Sequence, residues 1–263
     1  TAADCDDSTV CTGSYIIDDS SGLEVLAGCA TIDGSVHFKQ SSWTSVDLSC
    51  LTFVSGDVNL YGNNALENLD GLANLTSVDG NLTISDLDAL KNLDGLTNLT
   101  SVQGNLTLYG NNALEKLDGL ANLTSVDGDM TISDLDALEN LDGLANLTSV
   151  HGLRIHSNTR LKNLDGLANL TSLSGTLHVF NNQALEDLDA LANLTSVESL
   201  SIISNQALEK LDGLANLTSV GSSLTIQGNN ALENLEGLAI LTSVGGDLKV
   251  SFNQNLENVD GLD

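Results

Sequence analysis

From Gly71 onward the chain repeats itself. GLANLTSV or a near copy begins at positions 71, 95, 119, 143, 166, 190, 213 and 237, and a shortened GLD begins at 261, so the period is 24 or 23 residues throughout. A period in the twenties means that one supersecondary unit, unable to bury its own apolar edge, is stacked on copies of itself until a continuous core forms. Such a chain is a solenoid, and its function belongs to its flanks and ends rather than to a central cleft.

The order of apolar residues within one coil predicts its course. Between Leu66 and Ile84 they fall at Leu66, Leu69, Leu72, Leu75 and Val78, then at Leu82 and Ile84, so three-residue spacing gives way to alternation. The alternating piece, GNLTI, has the period of a strand. Its counterparts are Val58 to Leu60, Leu106 to Leu108, Met130 to Ile132, Leu153 to Ile155, Leu177 to Val179, Leu200 to Ile202, Leu224 to Ile226 and Leu248 to Val250. Stacked coils pair these strands in parallel, about 4.8 Å apart, and the TSV segment ahead of each is expected to form a second, shorter sheet. Helix is disfavoured because Gly, Asn or Asp interrupts every few positions. The rest reads as tight turns and extended pieces.

Hydrophobic residues make up 41% of the chain but aromatic ones only 3%, so Leu, Val, Ile and Ala must fill thin, similar layers. Twenty-four Gly and no Pro suit a backbone that turns in every coil while keeping its amides free to bond the next. No apolar run approaches the roughly 18 residues of a membrane span. The formal charge of -28, from 36 acidic and 8 basic residues, excludes nucleic acid as a natural partner and disfavours anionic membrane surfaces. It suits a secreted protein in saline water.

The four cysteines, Cys5, Cys11, Cys29 and Cys50, all precede the regular array, where a solenoid must shield its first layer. An even number clustered at one end reads as two disulfides stapling a cap in an oxidising compartment. The rival reading is a zinc site, against which stand the absence of CxxC spacing and the presence of only one nearby histidine, His37. The chain opens at Thr1, as expected after removal of a secretion signal.

The stretch from Cys11 to Phe38, CTGSYIIDDSSGLEVLAGCATIDGSVHF, resembles the opening of the receptor L domain found in insulin and epidermal growth factor receptors. There a Cys, a short strand, a loop, an LxxLxxC segment and an xxIxGxLxI strand follow in this order. The resemblance implies a Cys11–Cys29 bridge and leaves Cys5 to pair with Cys50. The repeats LxxLxGLxxLTSVxGxLxI also resemble L-domain-like leucine-rich proteins of bacterial surfaces and fungal cell walls. No cysteine-rich receptor module is present and the coils are far more uniform than hormone binding needs, so receptor activity is not implied. The expected fold is therefore all-β. It is a β-solenoid, a parallel right-handed β-helix of the L-domain or leucine-rich-repeat kind, with about eleven coils of 23 or 24 residues. Residues 1–56 form its disulfide-stapled cap and 57–263 the regular array, in one continuous domain.

Repetition stacks identical side chains into rows. Asp70, Asp94, Asp118, Asp142, Asp165, Asp189, Asp212, Glu236 and Asp260 form an acidic one. Carboxylates about 4.8 Å apart repel by roughly 0.9 kcal/mol per pair even in water, so the row calls for screening by salt, by Lys91, Lys116, Lys162 and Lys210, or by calcium across Asp70, Asp94, Asp118 and Asp142. Calcium is the one candidate cofactor. An Asx turn made by each Asp explains the row without it. Asn63, Asn111, Asn158, Asn182, Asn205, Asn229 and Asn253 follow the strand and are expected to satisfy buried turn backbone, with Leu87 and Leu135 replacing Asn in two coils. Those replacements expose a double repeat in which LYGNNAL and ISDLDAL alternate. Thr76, Thr100, Thr124, Thr148, Thr171, Thr195, Thr218 and Thr242 form an unbroken row, and Thr83, Thr107, Thr131 and Thr225 line the outward middle of the strand. Such hydroxyl arrays occur in ice-binding solenoids, although hydrogen-bonded Thr stacking explains the first row. Nine NLT sequons are glycosylation candidates, seven of them in one row too close for a glycan on every rung.

Departures from the repeat concentrate between His151 and Phe180, which hold His151, Arg154, His156, Arg160, Lys162, His178 and Phe180. By register Arg154 neighbours His178 and His156 neighbours Phe180, so these four are expected to form one patch able to bind an anion or the acidic face of another copy. Tyr61 and Tyr109, two coils apart, are a second candidate. GxSxG, HExxH, P-loop and catalytic Cys patterns are missing, and the chain reads as non-enzymatic. ENVDGLD stops part-way through a coil, so the expected partner is a second copy docking head-to-tail there, or another surface protein. The resulting expectation is a secreted or cell-surface structural protein able to build an extracellular filament or matrix. The alternatives are a recognition module that uses its strand sheet, and an ice-binding protein.

Overall fold

A computed structural model describes residues 5, 8–18, 20–39 and 42–262. Thr1 and the Asp263 that closes the last GLD lie outside the described residues, as does Asp19 within the stretch from Cys11 to Phe38. The chain is an all-β parallel solenoid. Its main ladder runs in register through Tyr15, Val36, Val58, Leu82, Leu106, Met130, Leu153, Leu177, Leu200, Leu224 and Leu248, which makes eleven rungs among the described residues. The first two steps, Tyr15 to Val36 and Val36 to Val58, span 21 and 22 residues, so the cap coils are shorter than the 23 or 24 of the array.

The second ladder pairs the Ser-Val segments, as at Ser77 with Ser101 and Ser219 with Ser243. It is not wholly separate. In two coils a single strand, Ser125–Ser133 or Ser149–His156, runs through both ladders and joins the earlier part of the second to the main one in a 17-stranded sheet, while Ser196–Val197, Ser219–Val220 and Ser243–Val244 form a separate three-stranded sheet.

The three-residue spacing of leucines is met by tight turns, one of which, in each coil from Asp94–Leu96 onward, winds as 3₁₀ helix. Leu90, Leu93, Leu96 and Leu99 are all fully buried. Leu90 N donates to Leu87 O, Leu96 N to Leu93 O and Leu99 N to Leu96 O, and with three residues per turn every third side chain eclipses the last and points inward. One true helix also forms, Ser20–Leu26 in the cap. There GLEVL runs without Asn or Asp, which lets one helical turn close and bury Leu26.

Both bridges implied by the family resemblance are present, Cys5–Cys50 and Cys11–Cys29, and no free cysteine remains to bind zinc. They fasten the cap to a single apolar core that continues from Ile17 to Leu238. Coils approach so closely at the DGL turn that a Cβ built on Gly119 or Gly143 would overlap the backbone carbonyl of Leu93 or Leu117 in the coil before. Ala190 alone occupies this position in the array with a side chain.

Candidate functional site

Most repeated polar rows are spent between coils. Asn111, Asn158, Asn182, Asn205 and Asn229 are fully buried. Asn182 Nδ2 donates to Ile155 O at 2.9 Å, while its Oδ1 accepts from Asn158 N at 3.1 Å. The Leu87 and Leu135 coils keep part of the pattern, because Leu87 N donates to Asn111 Oδ1 and Leu135 N to Asn158 Oδ1. The Thr row is likewise structural, with Thr100 Oγ1 donating to Thr76 O and Thr124 Oγ1 to Thr100 O at 3.0 Å. In the sequon row Asn98, Asn122, Asn146, Asn169 and Asn193 each donate Nδ2 to a carbonyl of the preceding coil at 2.7 Å.

The acidic row differs from the expected Asx turn in one respect. The acceptor is the residue two positions earlier, since Asn92 Oδ1 takes the Asp94 N–H at 3.1 Å and Asn140 Oδ1 takes that of Asp142 at 3.2 Å. The Asp begins the 3₁₀ turn, with Asp94 O accepting from Thr97 N. Asp189 is held above the ordinary carboxylate value by burial first, then by Asp187, Asp212 and Asp165, with Lys210 pulling the other way. Lys162 turns instead to Glu139 at 3.1 Å. Among the described residues no three acidic, His or Cys side chains converge as a metal site would need.

The seven residues singled out between His151 and Phe180 occupy three places. Arg154, His156, His178 and Phe180 come together on the outer face of the main ladder, paired Arg154 to His178 and His156 to Phe180. His156 and Phe180 stack there, 4.2 Å apart at 14°, and His178 lies tilted against Phe180 at 4.4 Å and 35°. His151 stands at the start of the strand, its Nδ1 3.0 Å from Ser174 Oγ. Arg160 and Lys162 lie beyond the strand, both paired with Glu139, whose carboxyl they hold below the usual range, the Lys162 hydrogen bond most strongly.

The patch is less cationic than its composition suggests. Arg154 is ion-paired with Asp129, which lies opposite Gly152 one coil back and is reached diagonally across the space that glycine leaves. Burial lowers the pKa of His156, with Arg154 lowering it further and Asp134 opposing. His178 is lowered by burial first, then by Arg154 and His156. In both rings the charged form is disfavoured, and the group is an aromatic surface bordered by one internal ion pair.

That surface continues further than the sequence reading placed it. The register runs Tyr61–Ser85–Tyr109–Ser133–His156–Phe180 along one outward column. Ser85 and Ser133 are 8% and 1% exposed while Tyr109 is 45% exposed, so the small residues are covered by the rings that flank them. The signal was already present in the alternation of LYGNNAL with ISDLDAL, which puts Tyr and Ser at the same place in successive coils. Asp129 and Glu139, the partners of the basic residues, carried no such signal because each is one of many repeated acids. Compared with known families and with curated proteins, the chain matches no family model and no curated protein.

Proposed function

We propose that the protein is a non-enzymatic extracellular structural rod of the L-domain-like kind, which sets length and stiffness and presents its outer strand face and coil ends for contact. One observation carries this reading. The buried Asn row, the Thr row and the sequon row all bond from one coil to the next, so what the repeats maintain is rigidity along the axis. Two disulfides suit an oxidising environment, and no described helix is long and apolar enough to cross a membrane. Self-association fits the coil faces. A coil of a second copy that met a coil face of this one would continue both ladders. Electron microscopy and light scattering of the purified protein over a concentration series test this. Rods that lengthen with concentration are expected, and a monodisperse monomer at every concentration would exclude the filament.

A further inference from the structure

We propose that the outward column from Tyr61 to Phe180 binds an extended neutral polysaccharide, lying along the solenoid axis across the strands. Aromatic rings recur in this column at Tyr61, Tyr109 and His156, two coils apart each time, and Phe180 stacks on the last of them. Two strand spacings are about 9.6 Å. That interval suits a linear β-1,4-linked glycan, whose flat ribbon turns the same sugar face to one side every second residue. Pyranose rings with equatorial substituents present axial C–H groups that pack on aromatic faces, while their hydroxyls point sideways. The column supplies both kinds of neighbour.

Beside the rings, in the adjoining outward column, stand Thr83, Thr107 and Thr131, paired in register with one another. Their hydroxyls engage no other described residue, in contrast to the Thr76 row, whose hydroxyls are bound to backbone. Beneath the rings the Ser133 hydroxyl is buried without a hydrogen-bond partner, between Tyr109 and His156. A buried unpaired hydroxyl is uncommon, and a sugar hydroxyl or its bridging water would satisfy it where the Tyr109 and His156 rings part to admit one.

Charge selects among glycans. At a net charge of -28 the rod repels acidic polymers, and burial disfavours the charged form of His156, the one histidine in the column, so an uncharged chain is the fitting occupant. The surface is open and long, which suits a polymer held by several weak ring contacts rather than a compact ligand enclosed in a pocket. The inference holds whether or not coils associate end to end.

The test is retention of the whole protein on insoluble cellulose, chitin and β-1,4-mannan, with titration of soluble hexasaccharides of the same linkages, and with alginate as the acidic comparison. Retention on at least one neutral polymer and none on alginate is expected. Ser already occupies this column at Ser85 and Ser133, so Tyr61→Ser together with Tyr109→Ser should leave the protein folded, as a cooperative melt would show, and weaken glycan binding at least tenfold. Absence of binding to all three neutral polymers, preference for alginate, or equal retention of the folded double variant would each overturn the proposal. A second variant, Phe180→Ser, should weaken binding in the same direction.

Discussion

His156 and Phe180 face each other across adjacent coils with their ring planes 14° from parallel, and the imidazole loses water to the contact. Burial lowers its pKa, as it does that of His178. Nuclear magnetic resonance titration should find both below the ordinary histidine value of about 6.5. A depressed folded value means that the unfolded chain binds the proton more tightly. Stability contributed by the pair is therefore complete above about pH 6.5 and is lost as pH falls toward the depressed folded values. Phe180→Ala should bring His156 closer to its ordinary value and remove about 0.5–1.5 kcal/mol of ring contact.

Asn182→Leu tests the buried ladder. Leucine fits such a site, as Leu87 and Leu135 show, but here it strands Ile155 O and Asn158 N, which bond the Asn182 amide. Each orphaned buried group costs about 1–3 kcal/mol, and a denaturant midpoint should fall accordingly. Little change would mean that water enters the coil.

Much of this was legible in the residues. Spacing gave the rungs, the Asn row and the pairing of Arg154 with His178, because each depends only on register, and register follows from the period. The 3₁₀ winding was not legible, since Leu at every third position is compatible with turns until backbone bonds are seen. Nor was the discharge of the basic patch. Arg154 finds Asp129 diagonally, through the gap above Gly152, and a diagonal contact between a rare base and one of many repeated acids leaves no periodic trace.

Gly143→Ala should destabilise the rod by about 1–3 kcal/mol, because its new Cβ meets the Leu117 carbonyl of the preceding coil. Thermal melting checks this. Ala190 shows that the position can hold a methyl group where the coil has adjusted to it, so the loss measures how far the Gly143 coil can move. A melting temperature equal to that of the parent would show that the spacing there is soft.

Asp189, in the middle of the acidic row, makes the rod sensitive to salt and acid in a sense opposite to the histidines. Asp189 is raised above its ordinary value by burial, then by Asp187, Asp212 and Asp165, so its charged form is the disfavoured one in the folded coil. A raised folded value means that stability is fully present below the unfolded value of about 3.9 and is lost as pH rises through the folded value. At neutral pH the Asp189 charge therefore works against the fold, and added salt, which shortens the screening length to about 10 Å at 0.1 M, should raise the melting temperature. Asp189→Asn removes one charge from the middle of the row. It should stabilise the rod at pH 7 in low salt, do less so at high salt, and have almost no effect once the carboxylate is protonated near pH 3. Equal stabilisation at all three conditions would show that the gain came from the turn and not from the charge.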